Sequence, residues 1–326
     1  YCEPWANREA PLKALKWMFD KEAPLLFRPQ LDWQQWRWGL QFLAQCNDAA
    51  FERNVQQLVA LGAYSHRALK ELVRSTGIEY HRLERGIAHF YSDQKSFDDA
   101  GLAVDLMRKH GVQRRLVTRE ELLQIEPAFR AYGDRIVGGT YTSTDESGDA
   151  RTFTQQLAER CAARGVQFLY GHDVLHLNKI GNAIDSVALI SNQTSGSSRK
   201  DFILKGDAIV VACGSYSAPL LRSVGVDLPI YPGKGYSATF PLLRPEAAPT
   251  VSALDDGRKI AISRLGNQLR VAGTIELGGF DLSLDSPVAK ARCNMLSRRI
   301  EELFPGVCDT RTPEQGGDPQ YWTGLR

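Results

Sequence analysis

The sequence predicts an interleaved two-domain protein of mixed α/β and α+β class. Three observations carry this expectation. At 326 residues the chain exceeds what one hydrophobic core usually organises. Strand-like segments occur at residues 80–91 and 136–141 and again from Pro229 onward, on both sides of a central stretch. Within that stretch, Asp207-Ala208-Ile209-Val210-Val211-Ala212-Cys213-Gly214 is a nearly continuous apolar run ending in small residues, the pattern of a parallel strand buried on both faces. The order is mixed sheet, doubly wound element, mixed sheet, so each domain is visited more than once. Residues 1–75 are then a helical segment adjoining the parallel-sheet domain, 76–142 and 221–326 two parts of an antiparallel-sheet domain, and 143–220 part of the parallel-sheet domain.

The elements follow in order. Residues 11–21 and 31–45 read as helices, with Pro24 and Pro29 breaking the chain between them. Five of the six tryptophans, Trp5, Trp17, Trp33, Trp36 and Trp38, fall in this region. Their rings either pack these helices onto the body of the protein or rest in a lipid headgroup layer, where Lys13, Lys16 and Lys21 would meet anionic lipid. Residues 48–75 form an amphipathic helix through Phe51, Val55, Leu58, Leu61, Leu69 and Leu72, closed by Gly77. Residues 80–91 alternate like a strand, 95–111 read as helix, 119–125 as a short helix stopped by Pro127, and 136–141 as a strand. A polar turn, Asp145-Glu146-Ser147-Gly148-Asp149, leads to a helix over 153–164 with Thr152 or Thr154 as its cap and Gly165 at its end. Short strands are expected at 166–170, 173–178, 183–190 and 202–204, with a Gly/Ser-rich turn at 195–198. Strands return at 236–240, 259–263 and 268–275, and a helix at 288–304.

Composition excludes several functions. Forty Lys plus Arg against 38 Asp plus Glu leave a net charge of +2, which makes no electrostatic case for nucleic acid. With 43% hydrophobic and 24% charged residues the chain is an ordinary globular one, not a disordered one. Mean hydropathy is -0.30, and no apolar run approaches the roughly 20 residues of a spanning helix. The six cysteines show no C-x-x-C spacing, so neither a zinc site nor a thioredoxin-type motif is encoded, and reduced thiols fit a cytoplasmic protein. His172 and His176 would share a strand face without a third ligand nearby, and no G-x-S-x-G elbow is present. Gly233-Lys234-Gly235-Tyr236-Ser237-Ala238 matches G-x-G-x-x-A, but Pro229 and Pro232 precede it and a strand pattern follows. A phosphate-binding fingerprint needs a strand before and a helix after, so this reads as an entry into a strand where glycine permits close approach of a ligand.

Segments spread in order along the chain carry a resemblance. They are Tyr1-Cys2-Glu3-Pro4-Trp5-Ala6, Pro11-Leu12-Lys13-Ala14-Leu15-Lys16-Trp17, the turn Asp145 to Asp149 with Phe153-Thr154-Gln155, Ala212-Cys213-Gly214-Ser215-Tyr216-Ser217, Pro229 to Ser237, Lys259-Ile260-Ala261-Ile262-Ser263-Arg264, and Trp322-Thr323-Gly324-Leu325-Arg326. Together they resemble the D-amino acid dehydrogenase branch of the FAD-dependent D-amino acid oxidase and glycine oxidase family. The resemblance implies a flavoprotein in which a parallel-sheet domain binds FAD and a large antiparallel sheet covers the flavin. It places the backbone of Val174 at the adenine, Ala212 and Gly214 where a strand end passes close to the cofactor, and, on the segment leading from the flavin to the substrate domain, Lys234 as a cofactor-binding and Tyr236 as a catalytic residue. Arg326 matches the arginine that holds the substrate carboxylate, a role suited to the planar guanidinium fork, and Tyr1 would line the pocket.

The implied reaction is oxidative deamination of a D-amino acid to a 2-oxo acid and ammonia, with Cα–H leaving as hydride and electrons passing to a respiratory acceptor such as quinone. An oxygen-using glycine or sarcosine-type oxidase is the nearest alternative. A non-catalytic membrane-surface interaction protein is the alternative of another class. The implied location is the cytoplasm, peripherally on the inner face of the plasma membrane. The family's G-x-G-x-x-G unit and the segment following Arg326 are absent from the sequence, so the resemblance implies an internal fragment lacking both ends, inactive by itself.

Overall fold

The computed structural model describes residues 4–17, 23–192 and 201–325. Tyr1, Lys21, Arg326, the turn at 195–198 and the side chains of Lys13 and Lys16 lie outside the described residues. The elements are α1 (Ala10–Trp17), β1 (Leu25–Phe27), α2 (Trp33–Ala44), α3 (Asp48–Thr76), β2 (Ile87–Tyr91), α4 (Gln94–Lys109), β3 (Arg114–Thr118), α5 (Arg119–Ile125), β4 (Gly138–Thr142), α6 (Ala150–Ala162), β5 (His172–Ile180), β6 (Ala183–Ser191), β7 (Asp201–Leu204), α7 (Ser217–Arg222), β8 (Lys234–Pro241), β9 (Ser252–Asp255), β10 (Ile260–Leu265), β11 (Gln268–Leu277), α8 (Pro287–Leu303) and β12 (Gln320–Leu325).

Nine strands form one large mixed sheet in the order β12-β8-β11-β10-β9-β2-β4-β3, with β1 pairing in parallel to the end of β11. Its pairs are antiparallel apart from β1–β11 and β2–β9. A separate antiparallel sheet contains β5, β6 and β7. Period-two alternation divides the large sheet into two faces. Ala88, Phe90, Val117, Tyr236, Ala238, Phe240, Ile260, Ile262, Leu269 and Val271 face α5, the 3-10 turn Pro127–Arg135 and α8, and there they build the main core. Helix α8 presents Ala289, Cys293, Leu296, Ile300 and Leu303 to it, all buried. Each fully buried aliphatic side chain of this size contributes about 1.5–3 kcal/mol. On the other face α4 covers the β2–β4–β3 end, and Phe97 leaves Gly138 no room for a side chain. The core also holds a buried ion pair: Arg299 Nε donates to Asp255 Oδ2 at 2.7 Å and Nη1 donates to Tyr132 Oη at 3.0 Å.

Local chemistry explains the long helix. Asn47 caps the start of α3 by accepting from Ala50 N, and Gly77, in the left-handed region at φ 62°, ends it. Helix α6 is capped by Asp149, whose carboxylate accepts from the backbone of Arg151 and Thr152. The expected threonine cap is corrected accordingly: Thr152 Oγ1 instead donates to Asp149 Oδ2.

Three strand expectations are also corrected. Residues 207–213 have no strand, and Val210 is 87% exposed. An apolar run becomes a parallel strand only beside neighbours that take its backbone hydrogen bonds, and no described residue pairs with it. Residues 166–170 are irregular and exposed for the same reason. Of residues 80–91 only Ile87–Tyr91 is strand, because Leu83 bridges to Ser147 and Asp149 N donates to Tyr80 O, turning the first half toward the polar turn.

Candidate functional site

β8 is the element on which the site residues converge. Its alternation sends Lys234 and Tyr236 toward α8 and Ser237 and Thr239 to the opposite face. β12 pairs with β8 so that Leu325 stands opposite Lys234 and Trp322 opposite Ser237. The segment ending at Arg326 and the Lys234–Tyr236 segment, far apart in sequence, are thus neighbours at one edge of the sheet.

Tyr236 is 2% exposed, and its hydroxyl donates to Glu276 Oε2 at 2.5 Å. The other carboxylate oxygen accepts from Arg28 Nη1 at 2.7 Å. The Tyr236 ring carries Lys234 Nζ at 5.4 Å and Arg292 Cζ at 5.6 Å from its centroid. Lys234 Nζ donates to Ser283 O at 2.5 Å, and Arg292 Nη2 donates to Ala23 O at 3.2 Å. Burial raises the Tyr236 pKa well above its ordinary 10, and the adjoining carboxylate raises it further. Burial alone would raise Glu276, but the hydrogen bonds from Tyr236 and Arg28 hold its pKa below the ordinary 4.5. The pair is therefore a neutral phenol donating to a carboxylate, an arrangement that positions strands and supplies no general base.

Sequence reasoning missed Glu276, Arg28 and Arg292. A bulge between Gly273 and Ile275, with Thr274 at φ 61°, reverses the alternation of β11 and turns Glu276 to the α8 side. The only signal was negative: a carboxylate in an apolar strand. On the opposite face Arg270 Nη2 donates to Ser237 Oγ at 2.9 Å, and its guanidinium lies 5.6 Å from the Trp322 ring, which is 57% exposed.

The expected cofactor residues form a second group. Val174 lies on β5, is 44% exposed, and pairs with Leu189. Ala212 is exposed. Gly214 takes φ 56° with no atom within 4 Å of where a Cβ would stand, and beside it Ser215 Oγ is buried with no hydrogen-bond partner. Open backbone next to an orphaned hydroxyl fits a cofactor passing close to the chain. Lys234 differs, because its ammonium is already committed to Ser283 and the Tyr236 ring. α7, which follows Gly214, packs on β5, the strand that carries Val174. The Tyr216 and Phe280 rings lie 5.1 Å apart, tilted by 38°, which links that segment to the loop after β11.

A large mixed sheet with helices on both faces, beside a small antiparallel sheet, is the fold that the chain shares with glycine oxidases. Residues 25–326 match the family described as FAD dependent oxidoreductase, and the chain belongs to that family. It is 44% identical over its whole length to a D-amino acid dehydrogenase of Dechloromonas aromatica (strain RCB), spanning 74% of that protein. It is 38% identical to a D-amino acid dehydrogenase of Granulibacter bethesdensis, spanning 73% of it. In fold it resembles a glycine oxidase from Geobacillus kaustophilus, with TM-score 0.64 and 22% identity over 81% of this chain and 66% of that one. An L-proline dehydrogenase from P. horikoshii gives TM-score 0.62 at 15% identity, over 86% of this chain and 68% of that one. Among the described residues no helix is long and apolar enough to cross a membrane.

Proposed function

We propose that this chain provides the substrate sheet and part of the cofactor framework of an enzyme that oxidatively deaminates D-amino acids to 2-oxo acids and ammonia. The observation that carries this reading is the 44% identity, over the entire chain, to a protein named D-amino acid dehydrogenase. The pairing of β12 with β8 supports it, because it sets the segment leading to Arg326 beside Lys234.

In this reading bound FAD supplies the two-electron acceptor for the hydride leaving Cα. The chain's residues do the rest. Arg326 holds the carboxylate and fixes the orientation of Cα, and Tyr1 lines the pocket. The main chain at Val174, Ala212 and Gly214 holds the cofactor. Tyr236 and Lys234 act as positioning residues through Glu276 and Ser283. Residues 76–142 and 221–326 form the substrate domain, and 143–220 belongs to the FAD domain with 1–75 adjoining it.

Electrons pass to a respiratory acceptor such as a quinone, with the protein peripheral on the inner face of the plasma membrane. The exposed face of α2 supports this: Trp33, Trp36, Leu40 and Leu43, at positions i, i+3, i+7 and i+10, are all exposed, with Leu31 just before them. Stopped-flow reoxidation of the reduced holoenzyme tests the acceptor. A quinone analogue is expected to reoxidise it faster than oxygen does. Faster reaction with oxygen would replace the dehydrogenase reading with an oxidase.

A further inference from the structure

The face of the large sheet turned away from α8 carries a row of side chains that changes abruptly in size. Strand register aligns Ala261, Ala272, Ser237 and Trp322 across β10, β11, β8 and β12, so three small residues are followed by one large one. Ala261 is exposed although β10 is an interior strand, which makes the small residues the floor of an opening and not a packed layer. Trp322 ends the row on the edge strand and is also exposed.

Two neighbours fix the indole. A Cβ at Gly324 would overlap Trp322 Cη2 and stand 2.6 Å from Cζ3, so the ring lies along β12 over Gly324. Gly235 is the residue opposite Gly324, and the two strands therefore offer no side chain of their own beneath the ring. Arg270 holds the other side: its guanidinium lies 5.6 Å from the ring centroid, and Nη2 donates to Ser237 Oγ at 2.9 Å. It has no ion-pair partner among the described residues, so its charge is left for the negative face of the indole. Period-two alternation puts 322 and 324 on one face, and the next position of that series is 326, about 7 Å further along an extended chain. The ring is thus one side-chain step from the position that the proposed function gives to the carboxylate anchor.

We propose that Trp322, seated over Gly324 and braced by Arg270, is the wall that limits the size of the D-amino acid side chain. This rests on the proposed function, because it takes Arg326 as the carboxylate anchor. A substrate held there by its carboxylate carries its side chain within reach of the indole: a methyl group stops short of the ring, and a benzyl group meets it. Such a wall selects by excluded volume, which is worth roughly 10–200-fold for a single methylene. Arg270 acts through Trp322 and is a positioning residue.

Steady-state kinetics of the holoenzyme with D-alanine and with D-phenylalanine test this through the ratio of the two kcat/KM values, which a general loss of stability or of flavin does not move. Trp322→Ala is expected to raise the D-phenylalanine to D-alanine ratio at least about tenfold, and Trp322→Phe, a smaller ring in the same place, to raise it less. Arg270→Met, which leaves the indole without its cation, is expected to raise it on the order of threefold. A ratio that stays parental or falls in Trp322→Ala overturns the wall, and a parental ratio in Arg270→Met overturns the brace. Turnover of neither amino acid by the parent enzyme would overturn the proposed function and this inference with it, whereas turnover of D-alanine with an unmoved ratio in Trp322→Ala overturns this inference alone.

Discussion

Replacing Glu276 by Gln removes one charge and keeps the volume, so it isolates the electrostatic link between β8, β11 and the segment that carries Arg28. Glu276 accepts two hydrogen bonds, from Tyr236 at 2.5 Å and from Arg28 at 2.7 Å. A hydrogen bond to a charged group contributes about 1.5–3 kcal/mol. The amide keeps one acceptor for Tyr236, and Arg28, whose side chain is 43% exposed, recovers hydration. The net cost at neutral pH is therefore expected to be about 2 kcal/mol, which in a chain of this size lowers Tm by about 3 °C. The pH dependence has a definite sign. Glu276 has a folded pKa below its ordinary 4.5, so its contribution is complete above 4.5 and is lost as pH falls through the folded value. Tyr236 has a folded pKa above its ordinary 10, so its contribution is complete below 10 and is lost as pH rises through the folded value. Thermal melts of the parent holoenzyme and of Glu276→Gln across pH should differ most between 4.5 and 10, and the gap should close in acid. A gap that stays constant from neutral pH into acid, or no gap at neutral pH, would refute the assignment of Glu276 as a buried carboxylate.

Four further outcomes follow from the same geometry. Gly139→Ala places a Cβ 2.5 Å from His89 O on the neighbouring strand, and should cost about 1–3 kcal/mol in denaturant melts; parental stability would show that β2 and β4 can separate there. Arg299→Met leaves Asp255 buried without its cation and should cost about 3–5 kcal/mol by the same melts, a cost that a second change, Asp255→Leu, should largely relieve. Arg326→Lys in the holoenzyme should reduce kcat/KM for D-amino acids at least about tenfold, the loss of one charge-assisted hydrogen bond, and an unchanged value removes it as the carboxylate anchor. Changing Trp33 and Trp36 to Ala should weaken co-sedimentation with anionic vesicles, and unchanged binding removes α2 as a lipid contact.

Local signals were readable where a residue's own chemistry decides its conformation. The α3 helix was legible from its apolar spacing and from Gly77, and β8 from the glycine-containing entry that begins it. The family was legible because short segments scattered from Tyr1 to Arg326 match in order, and whole-chain identity to the D-amino acid dehydrogenases agrees with that. What failed depended on partners. The run 207–214 has strand composition, yet a strand is a property of a pair, and composition cannot supply the neighbour. Strands β1, β9 and β12 are short and owe their existence to β11, β10 and β8 beside them. Glu276 was hidden by a single bulge: strict alternation from Leu269 and Val271 assigns Ile275 to the core, and the extra residue at Thr274 puts Glu276 there instead.

A chain that serves a flavoenzyme acting on D-amino acids must deliver electrons to bound FAD from one enantiomer only. Anaerobic mixing of the oxidised holoenzyme with D-alanine and, separately, with L-alanine tests it most directly, with the flavin's visible absorption as the signal. Rapid bleaching by the D-enantiomer is expected, and none by the L-enantiomer on the same timescale. Bleaching by L-alanine at an equal rate, or by neither enantiomer in a preparation that has bound FAD, would contradict it.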